Sequence, residues 1–175
     1  MPIPCSRYIF IALLLAGLAW LSGCATPQTS NDPYAAARQR ILVTAERLVG
    51  APYVLGGESP SGVDCSGLVY YVYRQAGIRT PRTTVQQFQA GRPQSQVLPG
   101  DLLFFRTDRS GAVSHVGIYA GGGRMIHASS GSGQVRKVTL NQSYWRQRMV
   151  GGVTFLSAGG AATPLAGERW RGPNG

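Results

Sequence analysis

The apolar pattern of this 175-residue chain changes period at Pro99-Gly100. Before that point hydrophobic residues recur at helical spacing; after it they come in short runs with the character of strands. Upstream, Ala37, Ile41, Ala45 and Leu48 repeat through residues 34–49 with Arg38, Arg40 and Arg47 between them, which predicts an amphipathic helix stopped at Gly50. Residues 52–64 form a loop rich in glycine and proline. A second helix is expected from Cys65 to Gln75, with Gly77 placed as its stop, and a short third over 84–90 after Pro81. Downstream, residues 102–105, 114–120, 124–128, 135–140 and 150–156 are rich in β-branched and aromatic side chains and bounded by glycines and polar turns. Helices first and strands afterwards imply an α+β domain, its helices packed on one face of an antiparallel sheet of about five strands.

The first residues read as an export signal. Arg7 supplies a short positive region, residues 8–20 are almost unbroken apolar, and Leu21-Ser22-Gly23-Cys24 closes the run with small residues before a cysteine. The run is shorter than the roughly 18–20 apolar residues a spanning helix needs. Residues 1–23 are therefore expected to be a signal peptide. Leu21-Ser22-Gly23-Cys24 resembles the lipobox of bacterial lipoproteins, and that resemblance implies acylation of Cys24 and stable anchoring through several acyl chains. With Ala25 after the cysteine, it also implies the periplasmic side of the outer membrane. Residues 24–34 are expected to be the tether, 35–156 the folded domain, and the Gly-, Ala- and Pro-rich stretch 157–175 a disordered tail.

Charge and cysteine content narrow the function classes. The formal net charge is +10 and nearly all the positive charge is arginine, scattered along the chain. There is no basic stripe with interleaved aromatics and no recognisable nucleic-acid module, so nucleic-acid binding is not expected. A diffuse basic surface suits other polyanions, such as lipid headgroups and carboxylate-rich polymers. If Cys5 leaves with the signal and Cys24 carries lipid, Cys65 is the one free thiol left. Such a thiol is either buried or a nucleophile.

The surroundings of Cys65 favour the second. Asp64-Cys65-Ser66-Gly67 stands where a glycine-rich loop turns into a helix, and helix N-termini lower thiol pKa values to roughly 3.5–7.5. Asp64 reads as the helix N-cap, and its charge opposes that lowering. Cys65 shares a helical stripe with Leu68, Val69, Val72 and Ala76, so the face that packs on the sheet also presents the sulfur to it. The chain's two histidines, His115 and His127, fall in predicted strands joined by Gly121-Gly122-Gly123, a strong hairpin signal. A turn centred on Gly121 would set His115 opposite His127 with both rings on one face; a one-residue slip would part them. Nucleophilic chemistry at a thiol wants a base, and the base wants a group to fix its tautomer. His115 is assigned as base and His127 as orienting residue, with the reverse order open. The Cys65 backbone amide is one donor for an oxyanion and the Tyr53 hydroxyl a candidate second. One thiol, two histidines and no paired carboxylates fit no zinc pattern, and neither metal nor cofactor is expected. A carboxylate pair for sugar cleavage is absent as well.

Gly50-Ala51-Pro52-Tyr53, Gly56-Gly57, Asp64-Cys65-Ser66-Gly67-Leu68-Val69, Pro81-Arg82-Thr83-Thr84, Pro99-Gly100-Asp101-Leu102, Ser114-His115-Val116-Gly117-Ile118-Tyr119 and Ile126-His127-Ala128 together resemble the NlpC/P60 family of cell-wall endopeptidases. The resemblance spans roughly residues 39–156. It implies a papain-like fold, a Cys65-His115-His127 triad, Tyr53 near the oxyanion site, and stem peptides of peptidoglycan, cut next to diaminopimelate, as substrates. Both the D-alanyl and the γ-D-glutamyl bond to diaminopimelate stay open. Leu55 stands where an aromatic is common in the family, which bears on one subsite wall. Ser66, Arg82 and Ser114 are candidate substrate-binding residues, with Arg106, Arg109 and Arg124 as further candidates for pairing with substrate carboxylates. Two rival readings are a catalytically silent lipoprotein that holds wall peptides or a partner, and an amidase or acyltransferase on the same triad. A monomer is the working expectation.

Overall fold

The first helix, α1 (Ala35–Arg47), buries Ile41 and Ala45, one turn apart on a single face, and the chain leaves it through Gly50 at φ 91°. This computed structural model describes residues 32–156. The expected signal peptide, Cys24, most of the tether and the 157–175 tail lie outside the described residues. Residues 32–34, read from the sequence as tether, belong instead to the folded unit. Asp32 accepts the Tyr34 N–H and the Arg38 Nε–H, at 2.9 and 2.8 Å, and Tyr34 packs on the core. Arg38 also donates through Nη1 to Asp101, a fully buried carboxylate, at 2.9 Å. That bond ties the start of α1 to the sheet.

The second helix, α2 (Cys65–Gln75), opens on Asp64 as N-cap, which accepts the Gly67 N–H, and buries Leu68, Val69, Val72 and Tyr73. The third, α3 (Thr84–Ala90), is capped by Thr83. All three agree with the helical spacing in the sequence. Between α1 and α2 the glycine-rich loop contains a small hairpin, β1 (Glu58–Ser59) with β2 (Gly62–Val63), too short to leave a periodic trace.

Strands β3 (Arg92–Gln94), β4 (Leu102–Phe105), β5 (His115–Gly121), β6 (Arg124–Ser129), β7 (Gln134–Thr139) and β8 (Met149–Thr154) form one sheet in the order β3-β8-β4-β5-β6-β7, every pair antiparallel. The sixth strand, β3, contains Pro93 and lies at an edge, where a residue without an N–H is tolerated. A short helix missing from the sequence reading, α4 (Ser143–Arg148), precedes β8.

Central β4 reads Leu-Leu-Phe-Phe and is buried on both faces. Leu102 and Phe104 join the main core with Leu68, Val69, Val72, Val116, Ile118, Ile126 and Ala128 beneath α1 and α2. Leu103 and Phe105 turn the other way and meet Met125 and Trp145 of α4. The sheet is therefore covered on both sides, not on one as the order of elements suggested. Full burial of each of these large side chains stabilises the fold by roughly 1.5–3 kcal/mol, so neither layer is incidental.

The β5–β6 turn sits further along than expected. Gly121 pairs with Arg124 across a two-residue turn of Gly122 and Gly123, at φ 57° and 66°, the pair of positive values a type I′ turn requires. A bulge between Tyr119 and Gly121 then sets Tyr119 against Met125 and Ile118 against Ile126. Continued one step, this register puts Gly117, not His115, across from His127. The displacement is two residues, so parity survives and both imidazoles stay on one face.

Candidate active site

Asp64 organises the entry to α2. Its carboxylate accepts the Gly67 and Gly56 N–H groups at 2.6 and 2.9 Å and the Ser66 hydroxyl at 3.2 Å, and Arg82 grips both oxygens at 3.0 Å each. Arg82 also donates to Glu58, to Ser66 Oγ and to the Gly57 carbonyl, so all five of its N–H groups are engaged within the protein. Only glycine fits at 67, where a Cβ would stand 1.9 Å from the Gly57 oxygen. Burial pushes the Asp64 carboxyl up, but Arg82 and the two amides outweigh it and hold it below the usual carboxylate range. An anion thus sits next to Cys65, balanced by Arg82 from behind.

This network changes the standing of the substrate-binding candidates. Arg82 has no donor to spare for a substrate carboxylate. Ser66 is 6% exposed, its hydroxyl held between Asp64 and Arg82. Ser114 Oγ accepts the Thr107 and Asp108 N–H groups, closing the loop that leads into β5. Arg124 lies beside the β5–β6 turn, three residues from His127 and so about 10 Å away along the strand. Arg106 and Arg109 are exposed.

The Cys65 sulfur lies where the β5–β6 ladder ends. The Tyr119 N–H donates to Asp101 on the β4 side, so by the alternation of a strand the Val116 N–H points the other way, toward β6. Paired residues stop at Ile118 and Ile126. Beyond them the Val116 N–H is directed at the sulfur, joined by the Ser66 N–H, and the Thr84 hydroxyl stands 3.6 Å from it. The expectation of a lowered thiol pKa does not hold. Burial pushes the Cys65 thiol up and adjacent Asp64 adds to that, and together they outweigh Thr84 and the two amides.

His115 Nε2 and His127 Nδ1 are 2.9 Å apart, with the rings at 88°. Gly117 makes this possible, since a Cβ there would come within 3.3 Å of His127 Cβ and 2.7 Å of Met125 Sδ. Trp145 stacks on His115 at 5.8 Å and 24° and meets His127 edge-on at 5.0 Å. Burial, with His127 alongside, brings the His115 pKa down to about 3. Burial and the Arg136 cation bring His127 down to about 4. Both rings are neutral at neutral pH, so one must donate and the other accept.

Tyr53 is positioned by its N–H to the Gly133 carbonyl at 2.8 Å and by a bridge to Val63. Its phenol pKa is raised by burial and then by the charges of Cys65 and Asp64, which places it in the same electrostatic environment as the sulfur. Leu55, two residues on, is 84% exposed at the loop tip. As the first residue of α2, Cys65 has an N–H with no acceptor inside the helix. Thr84, Trp145 and Arg136 were missed by sequence reasoning. Thr84 lies inside a recognised motif, whereas Trp145 and Arg136 become informative only once α4 and the β6–β7 register are known.

Residues 50–154 match the NlpC/P60 family. The chain is 46% identical over 132 residues to gamma-DL-glutamyl hydrolase of Bacillus subtilis (strain 168), an alignment covering 73% of this chain and 30% of that protein. It is 40% identical over 109 residues to murein DD-endopeptidase MepH of Escherichia coli (strain K12), covering 59% and 40%. A solved structure from Staphylococcus aureus subsp. aureus Mu50, described as similar to lipoprotein, NLP/P60 family, superimposes with a TM-score of 0.66 at 34% identity over 76% of this chain and 46% of that one. These alignments span only about 30–40% of the length of the two curated relatives. The family match covers more than half of the chain, and helices packed on a largely antiparallel sheet agree with it, so this protein belongs to the NlpC/P60 family and has its papain-like α+β fold.

Proposed function

We propose that this protein is a cysteine peptidase of the bacterial cell wall that hydrolyses a stem-peptide or cross-link bond next to diaminopimelate, with Cys65 as nucleophile, His115 as base and His127 as its orienting partner. One observation carries the reading: the Cys65 sulfur lies against the Val116 N–H, one residue from His115, whose Nε2 is already engaged by His127. His115 Nδ1 is then the nitrogen left for the thiol.

The raised thiol and lowered imidazole pKa values favour a neutral resting pair over a thiolate–imidazolium pair. Proton transfer accordingly accompanies attack. Sγ bonds to the carbonyl carbon as its proton passes to His115 Nδ1, and the imidazolium keeps its Nε2–H on His127 Nδ1. The Cys65 N–H and the Tyr53 hydroxyl face the developing oxyanion. His115 returns the proton to the leaving amine as the C–N bond breaks, and a thioester remains. Water, deprotonated by His115, cleaves it to a carboxylate and the free thiol.

The names of the two curated relatives, a gamma-DL-glutamyl hydrolase and a murein DD-endopeptidase, support wall peptide as substrate and leave both bonds in play. Residues 25–175 incubated with purified muropeptides and read by mass spectrometry identify the bond. Cys65→Ala must abolish cleavage with the circular dichroism unchanged, and persisting cleavage would end the proposal. A thioester captured by an added amine would instead mark an acyltransferase. Export and anchoring through acylated Cys24, on the periplasmic side of the outer membrane and as a monomer, are part of the same proposal. Radiolabelled palmitate retained by the full chain and lost in Cys24→Ala is the expected result.

A further inference from the structure

Across the sheet from His127 stands Arg136, its register partner on β7. Directly opposed residues of an antiparallel pair share a face. The neighbours on β7 agree: Val138 packs in the Trp145 layer, whereas Lys137 turns to the helix side and pairs with Glu46 of α1. Arg136 is exposed, and its side chain makes no ion pair, hydrogen bond or ring contact among the described residues. No described acid is left over for it either. Asp32 and Asp101 hold Arg38, Glu58 and Asp64 hold Arg82, Glu46 holds Lys137, and Asp108 holds Ser110.

A bare cation here works against the proposed chemistry. It opposes the positive charge that His115 and His127 must share during proton transfer. The arrangement makes sense when the ligand brings the missing anion. We propose that Arg136 is the anion-recognising residue of this site and takes a free carboxylate of the stem peptide on the His127 side of the cleft. A guanidinium fork presents two parallel N–H groups to a carboxylate, and the exposure of Arg136 leaves it open to a long peptide. The bound carboxylate cancels the cation beside the imidazoles, so recognition and proton transfer are coupled. The proposal rests on the wall-peptide reading above.

Binding separates the two claims. Calorimetry with Cys65→Ala protein measures a synthetic stem peptide with free carboxylates against versions carrying each carboxylate in turn as the carboxamide. For one carboxylate position the free acid should bind about tenfold tighter than the amide, as a single charge-assisted contact implies. Arg136→Gln in the same background should remove that preference and Arg136→Lys retain part of it, with circular dichroism unchanged in both. Equal affinity for all peptides, or a preference that survives Arg136→Gln, would overturn the proposal. Tight, Arg136-dependent binding combined with no hydrolysis by the unsubstituted protein would instead overturn the peptidase reading and leave Arg136 as a carboxylate site.

Discussion

His115 and His127 meet on a diagonal of the sheet, Nε2 to Nδ1 at 2.9 Å, because the one-residue β5–β6 bulge sets Ile118 against Ile126 and Gly117 leaves room for the second ring. His127 serves as an acceptor here in the neutral tautomer whose proton is on Nε2, and its pKa of about 4 keeps the ring neutral at neutral pH.

Removing that acceptor should therefore act on rate more than on binding. His127→Ala is expected to lower kcat by roughly 10²–10⁴-fold, the range seen when a base loses its orienting partner, with KM nearly unchanged. His127→Asn, which offers an amide oxygen near the Nδ1 position, should recover part of the loss. Steady-state kinetics on a purified muropeptide decide this, and equal activity in all three proteins would remove His127 from the machinery.

The direction of the pKa shifts fixes a pH profile. His115 must be neutral to act as base, and its pKa of about 3 keeps it so well below the ordinary histidine range. The acid limb of kcat/KM should then lie below pH 5. Alkylation of Cys65 by iodoacetamide should rise only as pH passes the ordinary thiol value near 9, since burial holds the thiol protonated. Stability follows the same sign. The unfolded chain takes up protons on both histidines near pH 6.5 while the native state does not, so stability is intact above that value. It is lost as pH falls toward 4 and 3, by up to about 1.4 kcal/mol per pH unit for each ring. Urea titrations between pH 7 and 4 measure it, and a flat line would show that the rings are not buried as neutral groups.

How much of this was legible in the sequence depended on the distance over which each signal acts. The helix carrying Cys65 was plain because Leu68, Val69 and Val72 repeat with it and Asp64 caps it, all within a few residues. The pairing of the histidines was legible in parity but not in register, because the bulge at residue 120 adds a residue that no local pattern announces. The thiol's raised pKa ran against the helix-terminus expectation since burial is a property of the packed protein, not of the motif. The internal bonding of Arg82 was hidden for a like reason: its five hydrogen bonds go to Gly57, Glu58, Asp64 and Ser66, near in space and invisible in spacing.

Those five bonds make Arg82 a brace for the start of α2. Arg82→Gln should destabilise the protein by about 2–3 kcal/mol, at the low end for breaking an internal ion pair because 30% of the arginine side chain remains exposed. It should also raise the thiol pKa further, since the Asp64 charge beside Cys65 loses its counter-charge. Thermal denaturation and the pH dependence of alkylation report the two effects, and an Arg82→Gln protein with unchanged values for both would show the clamp to be ornamental.

Trp145 offers the sharpest separation of packing from chemistry. Its ring contacts His115, His127, Phe105 and Tyr144 at once, closing the second face of the sheet over both imidazoles. Trp145→Leu should cost about 2–4 kcal/mol through lost burial and the cavity left behind. It should also admit water to His115. Desolvation is the main reason that the His115 pKa is low, so its value should climb toward 6.5 and carry the acid limb of kcat/KM upward with it. Trp145→Phe keeps an aromatic cover and should leave the limb close to its original position despite a smaller loss of stability. A limb that stays fixed in Trp145→Leu while the melting temperature drops would assign Trp145 to packing alone, and would place the cause of the low His115 pKa in His127.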